Sequence, residues 1–145
     1  MTITRNKIRF MFAGNCTFII ESDFVRFAYK IFKKSNTTDN NKIYHLYIKK
    51  ENKNIYCGYF KIRNNVLTYR HNDKYGIKET DIQVQTLLDA IHNRNTDEYR
   101  ILHTGRCAHC GRQLIDETSI ELGFGPKCYK KLFERENEHD KATAD

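Results

Sequence analysis

The stretch Asp23-Phe24-Val25-Arg26-Phe27-Ala28-Tyr29-Lys30-Ile31-Phe32-Lys33 decides the fold. Val25, Phe27, Tyr29 and Ile31 alternate with Arg26, Ala28 and Lys30. Successive side chains of a strand point to opposite faces, so this pattern predicts a β-strand with one apolar and one basic face. Working outward, residues 16–21, 42–49, 54–62 and 66–71 read as further strands, and so do residues 7–12. Turn formers separate them: Gly14-Asn15, Ser22-Asp23, Glu51-Asn52-Lys53 and Asn64-Asn65, with residues 35–41 as the polar tip of a long hairpin. Connections this short join antiparallel neighbours.

The period then changes. Val84, Leu87, Leu88 and Ile91 fall at i, i+3, i+4 and i+7, one face of a helix. Thr80 and Gln83 have the spacing of a capping box at its start, and residues 93–97 end it. A short strand over 99–103 leads into a cysteine-rich segment, and Gly125-Pro126 opens a last helix with Pro at its first position.

The 145 residues include 9 Tyr and 9 Phe, enough aromatic mass for a core. A charged content of 30% and a mean hydropathy of −0.73 place the chain among soluble proteins. No apolar run reaches the ~20 residues that cross a bilayer, so no membrane partner is expected. Residues Met1-Thr2-Ile3-Thr4-Arg5-Asn6 lack the apolar core of a secretory signal. The expected location is the cytoplasm. The net charge of +7 is uneven: residues 1–75 hold 15 Lys and Arg against 5 Asp and Glu, whereas residues 76–145 hold 10 against 13. A basic module suits polyanions, above all nucleic acid. The abundance of Lys, Asn, Ile and Tyr, as in any AT-rich genome, is the competing account of the same charge.

Of five cysteines, Cys16 and Cys57 stand alone in strand-like runs, where buried thiols are expected. The other three crowd one segment, Leu102-His103-Thr104-Gly105-Arg106-Cys107-Ala108-His109-Cys110-Gly111-Arg112-Gln113-Leu114, continuing to Gly123-Phe124-Gly125-Pro126-Lys127-Cys128. An odd count and tight clustering argue against a disulfide framework and for metal. Two Cys two residues apart and followed by Gly form a zinc knuckle, and Gly111 is expected to let backbone N–H groups approach the sulfurs. Cys128 sits in the first turn of the last helix, where the dipole favours a thiolate. Knuckle, hairpin, then a ligand-bearing helix is the order of a treble-clef finger. The fold class is therefore α+β: an antiparallel β-sheet with one packed helix, followed by a C-terminal treble-clef zinc finger. The expected parts are a basic β-rich domain over 1–98 with its helix at 80–93, the finger over 99–135, and a charged tail over 136–145.

Cys107, Cys110, Gly111, Arg112, Leu114, Ser119, Gly123, Gly125, Pro126 and Cys128 stand where the motif Cys-x-x-Cys-Gly-Arg-x-Leu, Ser, Gly-x-Gly-Pro-x-Cys has them. The segment thus resembles the small treble-clef domain of unknown function in many bacteriophage and actinobacterial proteins. Thr17-Phe18-Ile19-Ile20 and Arg26-Phe27-Ala28-Tyr29-Lys30-Ile31 are similar to the front of small phage proteins that carry this finger. The resemblance implies a phage protein made in the host cytoplasm and brings no established activity.

A closed structural zinc site takes four ligands. His103 is the expected fourth: it ends the incoming strand four residues before Cys107, and similar phage sequences tend to have a His there. His109, inside the knuckle and expected to point outward, is its rival, and His139 lies far along the tail. An open fourth position would instead suggest hydrolysis. Arg112 is expected to brace the knuckle by hydrogen-bonding carbonyls. On the sheet, Arg26, Lys30, Lys33, Lys34, Lys49 and Lys61, with Tyr44, Tyr47, Tyr56 and Tyr59 in neighbouring strands, suit a single-stranded nucleic acid. Lys127, Lys130 and Lys131 are a second basic cluster, offset by Glu134, Glu136 and Glu138. No Gly-x-Ser-x-Gly, phosphate-binding loop or His-Glu-x-x-His occurs. The leading expectation is a non-enzymatic, zinc-stabilised nucleic-acid-binding phage accessory protein. The alternatives are a phage anti-defence protein that inhibits a host protein such as a defence nuclease, and a zinc-finger nuclease of the His-Asn-His kind. The nuclease needs a second metal site that this sequence does not assemble.

Overall fold

The computed structural model describes residues 7–134 apart from 36, 39, 93–97, 116–118, 120 and 121. The expected helix stop at 93–97 and the charged tail at 136–145 lie outside the described residues, as does part of the hairpin tip at 35–41. Six antiparallel strands form one sheet in the order β5-β4-β3-β2-β1-β6. The strands are β1 (Asn15–Glu21), β2 (Arg26–Lys33), β3 (Asn41–Lys50), β4 (Lys53–Arg63), β5 (Val66–His71) and β6 (Arg100–His103). Strands β1 to β5 are a meander, and β6 returns to the outer edge of β1, placing Phe18 opposite His103. Residues 100–103, grouped with the finger from sequence, are thus a strand of the sheet as well.

One face of this sheet is the core. Cys16, Phe18, Ile20, Ile31, Leu46, Ile48 and Phe60 are fully or almost fully buried on it. Helix α2 (Ile82–His92) covers them with Val84, Leu87 and Ile91. The Tyr29 hydroxyl donates to the Gln83 carbonyl at 2.6 Å, and Lys50 pairs with Asp81 at 2.7 Å. The helix cap is Asp81 rather than Thr80: its Oδ1 accepts from the Gln83 N–H at 2.9 Å. A carboxylate one residue closer meets that N–H directly, so the expected capping box is not formed.

Residues 7–12 are not a strand. Lys7–Met11 form α1, and the Phe12 N–H donates to the Ile8 carbonyl at 3.0 Å. Lys7-Ile8-Arg9-Phe10 alternates as a strand would, but Ile8, Met11 and Phe12 lie at i, i+3 and i+4. A helix puts these three on one side, where Met11 and Phe12 are buried. Among the described residues, α1 therefore packs on the core as well as α2. Phe12 meets Tyr44 and Phe60 edge-on with ring centroids 5.2 and 5.1 Å away. Among the described residues no helix is long and apolar enough to cross a membrane.

A bulge sets the other face. At Leu46/Tyr47 the register of β3 on β4 slips: Leu46 pairs with Gly58, but Tyr47 pairs with Tyr56. Cys57 is the extra residue, and beyond it the alternation of β4 inverts. Tyr56 and Tyr59, three apart, therefore share the face away from the helices. Gly58 is required here: at φ +147° a Cβ would lie 2.2 Å from the Arg70 carbonyl oxygen.

Candidate metal centre and the open sheet face

The finger begins where β6 ends. An antiparallel bridge between Arg106 and Gln113 and the Leu114 N–H to Gly105 carbonyl bond at 2.8 Å close a small hairpin. At its tip the Gly111 N–H donates to the Cys107 carbonyl at 2.8 Å. Gly111 takes φ +79°, and a Cβ there would meet the Asn15 amide nitrogen at 2.6 Å. It makes this turn and this close approach, and backbone N–H groups of Gly125, Cys110 and His109 reach the Cys107 sulfur. Gly125 precedes α3 (Pro126–Tyr129), which carries Cys128 and runs into a π-helical turn, Lys130–Glu134.

These elements gather Cys107, Cys110 and Cys128 so that their sulfurs all lie within 4.8 Å of one another. Cys107 is buried, Cys128 half-buried and Cys110 exposed. Burial raises the Cys107 thiol, but the three N–H donors and the Cys110 side chain outweigh it and hold Cys107 below the ordinary thiol range. Cys128 is pushed up to about 12, first by burial, then by hydrogen bonds to and charge on the other two sulfurs. Three sulfurs this close cannot all ionise unless a cation sits among them. The donor set fits such an ion: tetrahedral bonds of ~2.3 Å would place sulfurs about 3.8 Å apart, inside the 4.8 Å limit of the cluster. The arrangement can coordinate a metal ion.

His103 and His109 stand outside that trio. The buried His103 accepts the Gly105 N–H on its Nδ1 at 2.9 Å. His109 does not point outward but turns to the start of the sheet, its Nδ1 2.7 Å from the Ala13 carbonyl. The brace of the knuckle also differs from the expected one. Arg106, not Arg112, donates to the Gly111 carbonyl at 3.2 Å, while Arg112 holds the turn through its own carbonyl, which accepts the Cys107 N–H at 2.9 Å. A cavity of about 440 Å³ is lined by the three cysteines together with Leu114, Ile115, Pro126, Arg112 and Lys127.

On the sheet, the expected basic residues divide. Register places Thr17, Lys30, Tyr47 and Tyr56 in one cross-strand row and Asn15, Phe32, His45, Tyr59 and Arg70 in the next. Lys49 lies on the same face beyond the first row, and Lys61 beyond the second. None of the residues in these two rows is buried, although the knuckle turn and Thr104 reach Asn15 and Thr17 at one end and Tyr75 packs on Tyr56. The Lys30 ammonium stands over the Phe32 ring, 5.5 Å from its centroid. Arg26 is on this face too, but it pairs with Glu21, as does Arg100 at 3.2 Å. Lys33 falls on the opposite parity, beside Tyr44, and Lys34 follows the end of β2, its N–H donating to the Ile43 carbonyl. Tyr44 is also on the inner face, 4% exposed. Phe32, His45, Arg70 and Tyr75 join the face without having been expected there. Phe32 keeps the phase of Arg26, Ala28 and Lys30, and that phase is the signal the sequence offers for it.

Residues 101–133 match a family of unknown function, DUF6011. No curated protein and no solved structure matches the chain significantly. The matched segment holds the three-cysteine cluster, and the sheet face lies almost entirely outside it.

Proposed function

We propose that the chain is a non-enzymatic, zinc-stabilised nucleic-acid-binding protein, in which the finger braces the fold and the open sheet face takes a single strand. One observation carries the reading: Lys30, Lys49, Lys61 and Arg70 share the face away from the helices with Phe32, Tyr47, Tyr56 and Tyr59, none of them buried. None of these four cations has an ion pair among the described residues, so their charge is available to phosphates. Aromatic rings between them offer stacking surfaces to any base. Zinc is the ion that a cytosolic three-thiolate knuckle favours, with His103 as the proposed fourth ligand through Nε2. In the cobalt-substituted protein, His103→Ala should change the d–d spectrum, and an unchanged spectrum removes His103 from the set.

The function is tested by titrating a labelled single-stranded oligonucleotide at several salt concentrations. Lys30→Glu and Lys61→Glu should weaken binding whatever the sequence, and each should flatten the salt dependence by about 0.7 unit of slope per lost phosphate contact. Changes at Lys130 and Lys131 should matter less. Absence of binding at low salt would overturn the reading and favour a protein partner. Loss confined to the Lys130 and Lys131 variants would move the site to the finger.

A further inference from the structure

Resting on that reading, we infer a division of labour across the open face: nucleobases stack on Tyr56 and Tyr75, and the flanking Lys30, Lys61 and Arg70 hold phosphates. The centre of the face is an aromatic cluster built around Tyr56. Its ring lies 5.4 Å from Tyr47, 5.4 Å from His45 and 5.7 Å from Tyr75. The Tyr56 hydroxyl and His45 Nδ1 are 2.9 Å apart, which fixes the phenol in place. Tyr75 comes from outside the sheet, on the short 3₁₀ turn Asp73–Tyr75 after β5, and is 56% exposed. That turn is set by Asn72, whose side chain accepts the Lys74 N–H at 2.9 Å.

Burial and the nearby Lys34 charge hold the His45 imidazole below its usual range, and burial raises the Tyr56 phenol. The cations stand around the cluster: Lys30 on β2 next to Tyr47, Lys61 on β4 and Arg70 on β5 next to Tyr59. A cross-strand aromatic ladder would stabilise the sheet in any case. Tyr75 breaks that account, since it pairs with no strand yet joins the cluster edge-on at 87°. From β2 to β5 the face spans three strand spacings, ~14 Å. A stacked strand rises 3.4 Å per nucleotide, so the footprint is at most about four nucleotides.

The experiment uses the full chain, a labelled oligothymidylate of eight nucleotides and an abasic strand of equal length. Tyr56→Leu and Tyr75→Leu should each weaken oligothymidylate binding about 5- to 150-fold at constant salt slope, the range of one lost base stack. Lys30→Glu should flatten the slope instead. The abasic strand should bind wild type and both tyrosine variants alike. The chain has no Trp, so quenching of tyrosine fluorescence by oligothymidylate reports stacking directly, and it should be lost with the abasic strand. If wild type binds but Tyr75→Leu, folded by circular dichroism, binds equally well, the stacking assignment is wrong while the proposed function stands. An abasic strand bound as tightly as oligothymidylate overturns the stacking assignment in the same way. If wild type binds neither strand at low salt, the proposed function itself fails.

Discussion

The sheet and the finger are held by different forces, and they should fail differently. Phe18, Ile20, Ile31, Leu46, Ile48 and Phe60 alone give the sheet a continuous apolar layer under α2. Among the described residues, the finger adds Cys107, Ala108, Leu114 and Phe124 to the buried apolar set. A unit this short cannot offset its ordering entropy by apolar burial and needs a metal or a host surface. It has a host surface in the sheet domain and the donors for a metal. Phe10 of α1 meets Phe124 edge-on at 6.0 Å, and the Asn15 N–H donates to the Ala108 carbonyl at 2.8 Å. The contrast teaches where each half is vulnerable: the sheet to cavities, the finger to anything that breaks up its three sulfurs, and the seam between them to both.

The largest effect should come from the metal centre. Cys107→Ser should abolish zinc retention and unfold residues 104–134, because metal binding and folding are one equilibrium worth ~10 kcal/mol or more in such units. Hydrogen exchange should show β2 to β4 still protected, and a finger that keeps its ion and its protection would break the comparison. Next comes the seam. Phe10→Ala should cost ~3–5 kcal/mol and lower zinc affinity in the same variant, as read by chemical denaturation and competition with a chelator. A stability loss with unchanged zinc affinity would show the two halves to be independent.

Gly58→Ala should be smaller, ~1–3 kcal/mol from forced strain at a left-handed residue facing the Arg70 carbonyl. Zinc content should not change, while binding to oligonucleotide should fall as Tyr56 loses its place. The smallest effect is at Asp81. Its burial raises the carboxyl, but Lys50 and the N–H groups of Gln83 and Val84 prevail and hold it below the ordinary aspartate value. A depressed folded value means stability that is present above the unfolded pKa of ~3.9 and is lost as pH falls through the folded one. Asp81→Ala should therefore cost ~1 kcal/mol at neutral pH, with the difference vanishing in acid. Denaturation of both proteins between neutral pH and acid checks the sign.

Much of this is legible in the chain. The alternation in β2, the 3.6 period in α2 and the Cys-x-x-Cys knuckle each state a local rule that tertiary structure does not override. What stays hidden is of two kinds. Residues 7–12 obey two periods at once over so short a span, and the core selects the helical one. The outward set of aromatic residues depends on the bulge at Leu46/Tyr47. Strict alternation sends Tyr56 and Tyr59 to opposite faces, and no single strand announces an extra residue. Tyr44 and Tyr47 suit one surface by composition, yet their odd spacing on a regular stretch of β3 puts them on opposite faces. At the knuckle the pattern supplies the three sulfurs but not the brace, since Arg106 and Arg112 both flank the turn and only its geometry says which guanidinium reaches the Gly111 carbonyl.

The return of β6 to β1 also has a consequence in time. The meander from β1 to β5 is built from hairpins whose partners are close along the chain, and local pairings form quickly. β6 joins Leu102 to Ile19 across more than eighty residues, a closure that carries a larger entropy cost and forms more slowly. During synthesis the outer edge of β1 is therefore exposed until the segment just ahead of the knuckle emerges. An exposed edge of this kind pairs readily with a second chain. Chains truncated before residue 100 should therefore aggregate through β1, whereas chains that include β6 should keep the meander in solution.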